Sequence, residues 1–391
     1  MNHFMRCSLL AVGMIVALVH FLGLMLPDAK AQDADTSSHA QTPVGRWRPA
    51  ADMSERREYA GGVRLKDGRI LAVSGHPLNG RSIASAELYD PQTGKWSDTG
   101  SLRQARNGGN AATLLHDGRV LIAGGHNNTH VVDGAEVFDP ARGTWSDAGN
   151  LSVARDPMAT LLADGRVLVA GGINWYIGDD KAYADAEIFD PASGKWAVTG
   201  SLATPRYEQR AARLDDGRVL AFGGYGPAEV LLASAEVYDP ATGQWMKTDA
   251  LPQPRAWFGH VKLQDGRVLV TGGYTGGRNK RTYLTTTMLY DSKAGRWSET
   301  GPMRTKRGGF SIALLSDGQV LVAGGVAEGG VELKSAELFD PRTAKWRAAA
   351  PMNVARRNHR ATLLVDGSVL VIGGGNLLGA KYLSSCEIFS F

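Results

Sequence analysis

Cysteine is almost absent from this chain of 391 residues, which contains only Cys7 and Cys386. Cys7 lies in an N-terminal segment that we expect to be removed, so Cys386 has no partner for a disulfide bond. A domain of this size does not need disulfides, because a long chain buries an extensive core without them. We therefore interpret Cys386 as a buried, unreactive thiol on a strand.

The sequence also lacks a strong charge of either sign. The 43 lysine and arginine residues nearly balance the 39 aspartate and glutamate residues, which leaves a formal net charge of +4. No run of Lys and Arg of the kind that binds nucleic acid is present, so we predict no nucleic-acid partner. A nucleophile triad, a phosphate-binding loop and a dinucleotide-binding motif are missing too, so the sequence gives no support to the enzyme classes that carry them.

The N-terminal segment differs in character from the rest of the chain. Arg6 precedes an apolar run over residues 9–26, and the sequence AKA at residues 29–31 has the small-residue pattern of a cleavage site. This pattern predicts a secretory signal peptide at residues 1–31, cleaved after Ala31. The alternative is an uncleaved membrane anchor, because the run is slightly long for a signal core. Both interpretations export the protein, to the periplasm or out of the cell, and cleavage would leave no membrane span.

A repeat of roughly 50 residues fills the rest of the chain. A typical copy has an Asp-Gly pair, an apolar run that ends in Gly-Gly, a strand such as AEVFDP, and a Trp after a Gly-containing turn, and the first copy has Ser74-Gly75 in place of Gly-Gly. Asp-Gly is a strong hairpin signal, and a run that is apolar on both faces indicates a strand packed between two neighbours. The Asp-Gly pairs begin at Asp67, Asp117, Asp164, Asp216, Asp265, Asp317 and Asp366. The Trp residues of the repeat are Trp47, Trp96, Trp145, Trp196, Trp245, Trp297 and Trp346.

The two ends of the repeat array complement each other. Trp47 has no AEVFDP strand before it, and the last such strand, at Cys386, has no Trp after it. The N-terminal strand can therefore become the outer strand of the C-terminal blade, which removes an open sheet edge. We predict an all-β fold over residues 45–391, a ring of seven four-stranded antiparallel blades. Residues 32–44 are polar, and we predict that they form a flexible lead-in.

The repeat resembles the kelch repeat, which has the same order of Gly-Gly, AExYDP or AExFDP, and G-x-W, here in the form ATLLxDGRVLVAGG typical of bacterial members. This resemblance implies a kelch β-propeller with the fold of the central domain of galactose oxidase. Copper radical oxidases of that fold hold copper with a Tyr crosslinked to a Cys, a second Tyr and two His. Cys386 is the only cysteine after residue 31 and lies on a repeated strand. We therefore expect the resemblance to stop at the fold, and we predict no cofactor.

The loops of such a ring fall on two faces, because neighbouring strands run in opposite directions. One face holds short turns that are nearly identical in every copy. The other holds the loops after Gly-Gly and the segments that enter the inner strands, which vary, so we predict a site on this face at the mouth of the central channel. One feature of the entering segments does not vary, and we give it a structural role: an arginine at Arg57, Arg106, Arg155, Arg206, Arg255, Arg307 and Arg356.

The residues that break the sevenfold pattern on the variable face are the candidates for ligand binding. They combine aromatic rings, which stack on sugar faces, with amide, imidazole and guanidinium groups, which hydrogen-bond to hydroxyls. The histidines are scattered, and only His126 and His130 share a loop, so we predict no metal site. The predicted ligand-binding residues are Tyr59, Asn110, Trp175, Tyr176, Tyr207, Arg210, Trp257, His260, Arg357 and His359.

This inventory favours a binding module for a glycan or an extracytoplasmic protein. The alternative is a sugar mutarotase, because exported kelch proteins similar to the sialic acid mutarotases are known. Exchange of sugar anomers needs an acid and a base, and the candidates here are Glu58 with His359, or Glu208 with Arg210. Those mutarotases have six blades, whereas seven are predicted here, so their site cannot be transferred to this chain residue by residue.

Overall fold

The computed structural model describes residues 44–76, 81–108, 112–176, 181–277, 280–376 and 381–391. The predicted signal peptide at residues 1–31, and the lead-in at residues 32–44 apart from its last residue, lie outside the described residues and stay predictions. Within the described ranges, no helix is both long enough and apolar enough to cross a membrane.

The described residues form seven four-stranded antiparallel blades of a β-propeller, as the repeat predicts. From blade 1 to blade 7, the inner strands are Gly61–Arg64, Thr113–Leu114, Asp156–Leu161, Arg210–Arg213, Gly259–Lys262, Ser311–Leu314 and Arg360–Leu363. The second strands are Ile70–Val73, Val120–Ala123, Val167–Asn174, Val219–Phe222, Val268–Thr271, Val320–Ala323 and Val369–Ile372. The third strands are Ala86–Asp90, Gly134–Asp139, Ala186–Asp190, Ala235–Asp239, Thr287–Asp291, Ala336–Asp340 and Cys386–Ser390. The outer strands are Lys95–Thr99, Thr144–Asn150, Lys195–Thr199, Gln244–Thr248, Arg296–Thr300, Lys345–Ala349 and, in blade 7, Arg46–Ala50.

Short extra elements decorate the variable face. The strand Lys181–Ala182 pairs with the second strand of blade 3. Two further hairpins follow the Gly-Gly pairs of blades 5 and 7, Tyr274–Thr275 with Thr282–Tyr283 and Gly375–Asn376 with Lys381–Tyr382. Single 3₁₀ turns at Pro227–Glu229 and Glu328–Gly330 occupy the corresponding loops of blades 4 and 6.

The predicted closure of the ring is confirmed. The strand Arg46–Ala50 pairs antiparallel with Cys386–Ser390, which places Trp47 directly opposite Phe389. The inner strands contact one another from blade to blade around the whole ring. The core lies between adjacent blades, as where Leu220 and Val237 of blade 4 pack against Val268 of blade 5.

Each Gly-Gly pair joins its blade to the next one. Gly125 has a φ of +96°, and a Cβ there would lie 2.5 Å from the carbonyl oxygen of Asn107, so only glycine fits. Its N–H donates to the carbonyl of Arg155 in blade 3 at 3.0 Å. The same bond recurs at every blade boundary and closes the ring from Gly374 to Arg57 at 2.8 Å. The glycines thus turn a strand end into a contact between blades.

The repeated arginines are fully buried, with at most 1% of each residue exposed. Each guanidinium donates to a carbonyl at the start of the third strand of its blade, as Arg206 does to Ser234 at 2.9 Å. In six blades the guanidinium also bonds the Glu of the AExFDP strand, at 2.6 to 3.0 Å. In blade 4 this Glu236 also accepts the backbone N–H groups of Ala203 and Thr204. The predicted structural role of the arginines therefore extends to a buried ion pair.

Blade 5 departs from this arrangement. Met288 stands where the other blades have Glu, so Arg255 is left with the carbonyl oxygens of Gly272 and Thr286 and the hydroxyl of Thr286. Burial lowers the pKa of Arg255 to about 10. Pro252 occupies in blade 5 the position that Ala203 has in blade 4. Proline has no N–H, so one of the hydrogen-bond donors to the missing carboxylate is absent as well. The two departures therefore compensate in part.

The repeated aromatic residues lie between the blades. Each outer-strand Trp packs on the Tyr or Phe opposite it on the third strand, with ring centroids 5.0 to 5.3 Å apart. In six blades the indole N–H also donates to a carbonyl of the preceding blade, as Trp245 does to Gly200 at 2.8 Å. The Trp residues therefore stabilise the outer edge of the ring as the arginines stabilise its inner part.

We expect Glu236→Met to lower the free energy of unfolding by about 3–5 kcal/mol, because it leaves Arg206 buried without its carboxylate. Guanidinium denaturation of the purified chain measures this change. The matched control is Met288→Leu in blade 5, which removes no ion pair and should cost less than about 1.5 kcal/mol. Equal losses in the two variants would contradict the stabilising role of the pair.

Candidate functional site

A cavity of about 380 Å³ opens on the variable face, and residues from all seven blades line it. This shared lining places the cavity on the axis of the ring, at the mouth of the central channel. Seven of the residues predicted from the sequence line it: Tyr59, Trp175, Tyr176, Glu208, Arg210, Trp257 and His359.

The rim of this cavity is built from backbone in a rare conformation. Two residues after the repeated arginine, Tyr59, Glu208, Trp257 and Asn358 all have φ between 50° and 57°, and Gly108 and Gly309 at the same position also have positive φ. All six line the cavity. Left-handed backbone costs on the order of 1–3 kcal/mol for a residue with a side chain, and such strain clusters at functional sites. In blade 3 the position is Pro157, whose ring forbids positive φ.

Backbone hydrogen bonds hold part of this rim in place. The N–H of Gly309 donates to Trp257 at 2.9 Å, that of Asn358 to Gly309 at 2.8 Å, and that of Tyr59 to Asn358 at 3.2 Å. The chain of bonds runs across blades 5, 6, 7 and 1. The side-chain amide of Asn358 adds a bond to the Tyr59 hydroxyl at 2.8 Å. The strained residues are therefore fixed by their neighbours in the ring.

Trp175, Tyr176 and Trp257 give the cavity an aromatic wall. Beneath Trp175 lies Tyr207, whose ring meets it edge-on with centroids 5.2 Å apart. Tyr207 stacks in turn on Tyr225 at 5.1 Å. Only 1% of Tyr207 is exposed and it does not line the cavity, so its place is in the layer that supports the wall.

Trp257 is oriented from two sides. Its indole N–H donates to a carboxylate oxygen of Glu208 at 2.8 Å. The guanidinium of Arg281 lies over its ring, 4.8 Å from the centroid, where a cation is attracted to the aromatic face. Glu208 itself is exposed. Desolvation lowers the pKa of Arg210, and the negative charge of Glu208 opposes this shift. Glu208 and Arg210, the second pair of acid and base candidates, both line the cavity.

His126 and Asp156 form a hydrogen-bonded pair on the cavity wall, with Nδ1 3.0 Å from the carboxylate oxygen. Partial burial lowers the pKa of His126, but the hydrogen bond and the charge of Asp156 outweigh it, so the pKa is raised above its ordinary value. This pair can hold a proton at the cavity. The two residues belong to blades 2 and 3 and were not paired from the sequence.

A second cavity of about 290 Å³ lies further along the inner strands, in the channel, and shares Arg210, Phe310, His359 and Arg360 with the first. The predicted residue His260 lines this cavity. Desolvation, together with the charge of Arg210, lowers the pKa of His260 to about 4, and its Nε2 lies 3.0 Å from the carbonyl oxygen of Ala211. His359, 7% exposed, has its pKa lowered by burial and then by the charge of Arg356. Both histidines are therefore neutral at pH 7.

Glu58 and Arg357 lie behind the rim rather than in the cavity. Glu58 is 3% exposed and accepts a hydrogen bond from Asn358 at 2.8 Å, with Arg357 Nε 3.6 Å away. Burial raises the pKa of Glu58 above its ordinary value. Arg357 also lies 3.9 Å from Glu332, so it is held between two carboxylates. The predicted pair of Glu58 with His359 is therefore not brought together in the cavity, and predicted Asn110 lies outside the described residues.

The cavity also contains residues that lie outside the predicted ligand-binding set. Phe310, Asn358 and Arg360 line it, as do His126 and Asp156. Some of these positions follow a rule of the repeat. The residue after the repeated arginine forms an antiparallel β-bridge with the residue after Gly-Gly in the same blade. Asn107 with His126 and Tyr207 with Tyr225 are two examples. The repeat in the sequence is sufficient to predict these bridges within a blade. It is not sufficient to predict contacts between side chains of different blades.

The residues present do not fit the copper cofactor of the radical oxidases. Cys386 is 1% exposed on the third strand of blade 7, where it packs with Met53 and Leu364, and it lines neither cavity. Burial raises the pKa of its thiol to about 12. Within the described part of the chain, no group of three or more His, Cys, Asp or Glu residues is placed to hold a metal ion.

Comparisons with known proteins agree with this architecture. The family model of the KLHDC2/KLHL20/DRC7 Kelch-repeats domain matches residues 158–375, which is more than half of the chain, and the Kelch motif matches residues 108–152. A solved structure similar to this chain is that of a novel fungal alcohol oxidase of the AA5 family in complex with copper. It has a TM-score of 0.72 and 20% sequence identity, and the match covers 89% of this chain and 76% of the oxidase. At this identity the likeness shows the fold alone. No curated protein matches the chain in sequence.

We expect the imidazole of His126 to titrate above its ordinary pKa in an NMR pH titration, and Asp156→Asn to lower that pKa. A raised folded-state pKa contributes stability that is fully present below about pH 6.5 and is lost as the pH rises through the folded pKa. The stability advantage of the wild type over Asp156→Asn should therefore be full below about pH 6.5 and shrink as the pH rises through the folded-state pKa of His126. Asp147→Asn, an exposed change in blade 2, is the control. An unchanged His126 titration in Asp156→Asn would contradict the pairing.

Proposed function

Because the chain belongs to the kelch-repeat family, we propose that it acts as a binding module, and that a carbohydrate is the ligand of its channel-mouth cavity. Kelch domains typically mediate binding to other proteins, so binding rather than catalysis is the role that the family supports. The family does not indicate the chemistry of the ligand, because propellers host unrelated activities. That part of the proposal depends on the cavity.

The observation that carries the proposal is the combination of aromatic and polar groups around one concave space. Trp175, Tyr176 and Trp257 offer ring faces, and His126, Asp156, Glu208 and Arg210 offer hydrogen-bonding groups. Sugars present apolar C–H faces and polar hydroxyl edges, and these match the two kinds of group. A volume of about 380 Å³ lies within the range of small-molecule sites. A flat surface of the kind that large protein interfaces use would not need such a recess.

The rigidity of the site supports the same proposal. The rim is fixed by backbone hydrogen bonds, and Trp257 is held by Glu208 and Arg281. A preorganised site loses less conformational entropy when it binds a ligand. This arrangement suits a hydroxyl-rich ligand, whose gain per contact is small because its groups are well solvated in water.

Export is a second part of the proposal, and it is supported by the sequence of residues 1–31. Expression of the full chain in a bacterial host should give a periplasmic protein whose first residue is Gln32, as N-terminal sequencing would read. In Ala31→Trp, a bulky residue at the cleavage site should block processing. A wild-type chain recovered in the cytoplasm with Met1 intact would contradict export. An intact chain recovered in the membrane would favour the anchor interpretation.

We expect isothermal titration calorimetry against a panel of neutral and acidic sugars to detect binding to the chain from Gln32 onward. Trp175→Ala and Trp257→Ala should each weaken that binding by about tenfold or more, because each removes a stacking face. The control is Met246→Ala, which truncates an exposed side chain on the outer strand of blade 4.

Two results would change the proposal. If no sugar binds, or if the Trp variants bind as well as the wild type, the carbohydrate proposal fails and a protein partner becomes the candidate. If a bound sugar exchanges its anomers faster with the protein than in buffer, the mutarotase alternative is supported. In that case the His126–Asp156 pair and Glu208, which line one cavity, are the groups that could act as acid and base.

A further inference from the structure

We propose that the central channel beneath the sugar cavity contains a second binding site, for an anionic carboxylate group, formed by Arg210 and Arg360. The inference rests on the proposed function in one respect, since it assigns the ligand of the cavity to the acidic sugars.

The charged side chains that line the second cavity are all basic. Arg210, Arg360, His260 and His359 line it, whereas no Asp or Glu is found among the described residues around it. The remaining lining residues are small or apolar, such as Ala159, Ser311 and Phe310. A confined space that is lined by two guanidinium groups and no carboxylate has a positive potential, which attracts an anion.

The repeat shows that these two arginines are exceptions at one position. Arg210 and Arg360 both stand four residues after the repeated arginine of their blade. The same position in blades 1, 5 and 6 is small, with Gly61, Gly259 and Ser311, and in blade 3 the strand register places Met158 there. The fold therefore does not require a long side chain at this place.

The locations of the two exceptions matter as well. Blades 4 and 7 are three steps apart in a ring of seven, so the two arginines stand on inner strands at nearly opposite sides of the channel. On one of these sides space has been left for the side chain, because a Cβ at Gly62 would lie 2.6 Å from Cγ of Arg360. Two cations that converge across a channel can bind one carboxylate from both sides.

Electrostatics agree with this geometry. Desolvation in the channel and the charge of Arg210 together lower the pKa of Arg360 to about 10, so the group remains charged at pH 7. Desolvation also lowers the pKa of Arg210, and only the Glu208 carboxylate, at the rim, opposes it. The two like charges repel each other, and an anion between them would relieve that repulsion. Guanidinium groups bind carboxylates with paired, charge-assisted hydrogen bonds.

The two cavities share Arg210 and Arg360, so a single ligand can reach both sites. A sugar ring at the aromatic wall would direct a carboxylate substituent down the channel axis. The ligand class that satisfies both sites is therefore a sugar acid, such as a hexuronate. The neutral His260 and His359 can donate or accept hydrogen bonds to the remaining polar groups of such a ligand.

The test compares galacturonate with galactose, two probes that differ by a carboxylate in place of a hydroxymethyl group, and adds acetate as a carboxylate without a sugar. Each is titrated into the wild type, Arg210→Gln, Arg360→Gln and the control Arg213→Gln. Arg213 lies on the same inner strand as Arg210 but lines neither cavity. Circular dichroism confirms that each variant is folded.

We expect galacturonate to bind the wild type at least about tenfold more tightly than galactose, and this advantage to vanish in Arg210→Gln and Arg360→Gln but not in Arg213→Gln. Equal binding of the two sugars by the wild type would overturn the carboxylate site and leave the carbohydrate function standing. If neither sugar binds, the carbohydrate function fails, and acetate decides the second site. Acetate binding that needs both arginines would support the site, and no acetate binding would overturn it.

Discussion

The buried arginine that recurs before each inner strand is the constraint on which the rest of the structure depends. Its carbonyl accepts the N–H of the second glycine of the preceding blade, and its guanidinium holds the start of the third strand of its own blade. A buried cation is costly unless it is fully bonded, so each blade is drawn to the position that satisfies it. In six of the seven blades a Glu completes the arrangement, and blade 5 shows that the ring closes without one.

The cavity at the channel mouth follows from the same interaction. The rim residues Tyr59, Glu208, Trp257 and Asn358 lie two positions after a fixed arginine and adopt left-handed backbone. Strain of this kind persists only where the surroundings determine the conformation, and here the arginine on one side and the inner strand on the other do so. The scaffold thus presents one rim position from each of six blades to the cavity, and four of these positions carry a side chain.

The sequence predicts the fold almost completely and the site only in part, for a physical reason. A repeat specifies the neighbours of a residue within its blade, so the closure through Trp47, the hairpins and the structural role of the arginines could be predicted. It does not specify contacts between unlike residues of adjacent blades. The burial of Tyr207 under Trp175, the capture of Glu58 by Asn358 and the pairing of His126 with Asp156 all cross a blade boundary. These contacts depend on which of the residues that depart from the repeat become neighbours around the ring.

We propose that the channel mouth binds a sugar against its aromatic wall and that the channel binds an anion between two arginines. A crystal structure of the chain from Gln32 onward, soaked with galacturonate, tests this most directly. We expect electron density for a sugar ring beside Trp175 or Trp257, with the carboxylate of the sugar between Arg210 and Arg360. A sugar bound elsewhere on the propeller, or an empty cavity at saturating galacturonate, would contradict it.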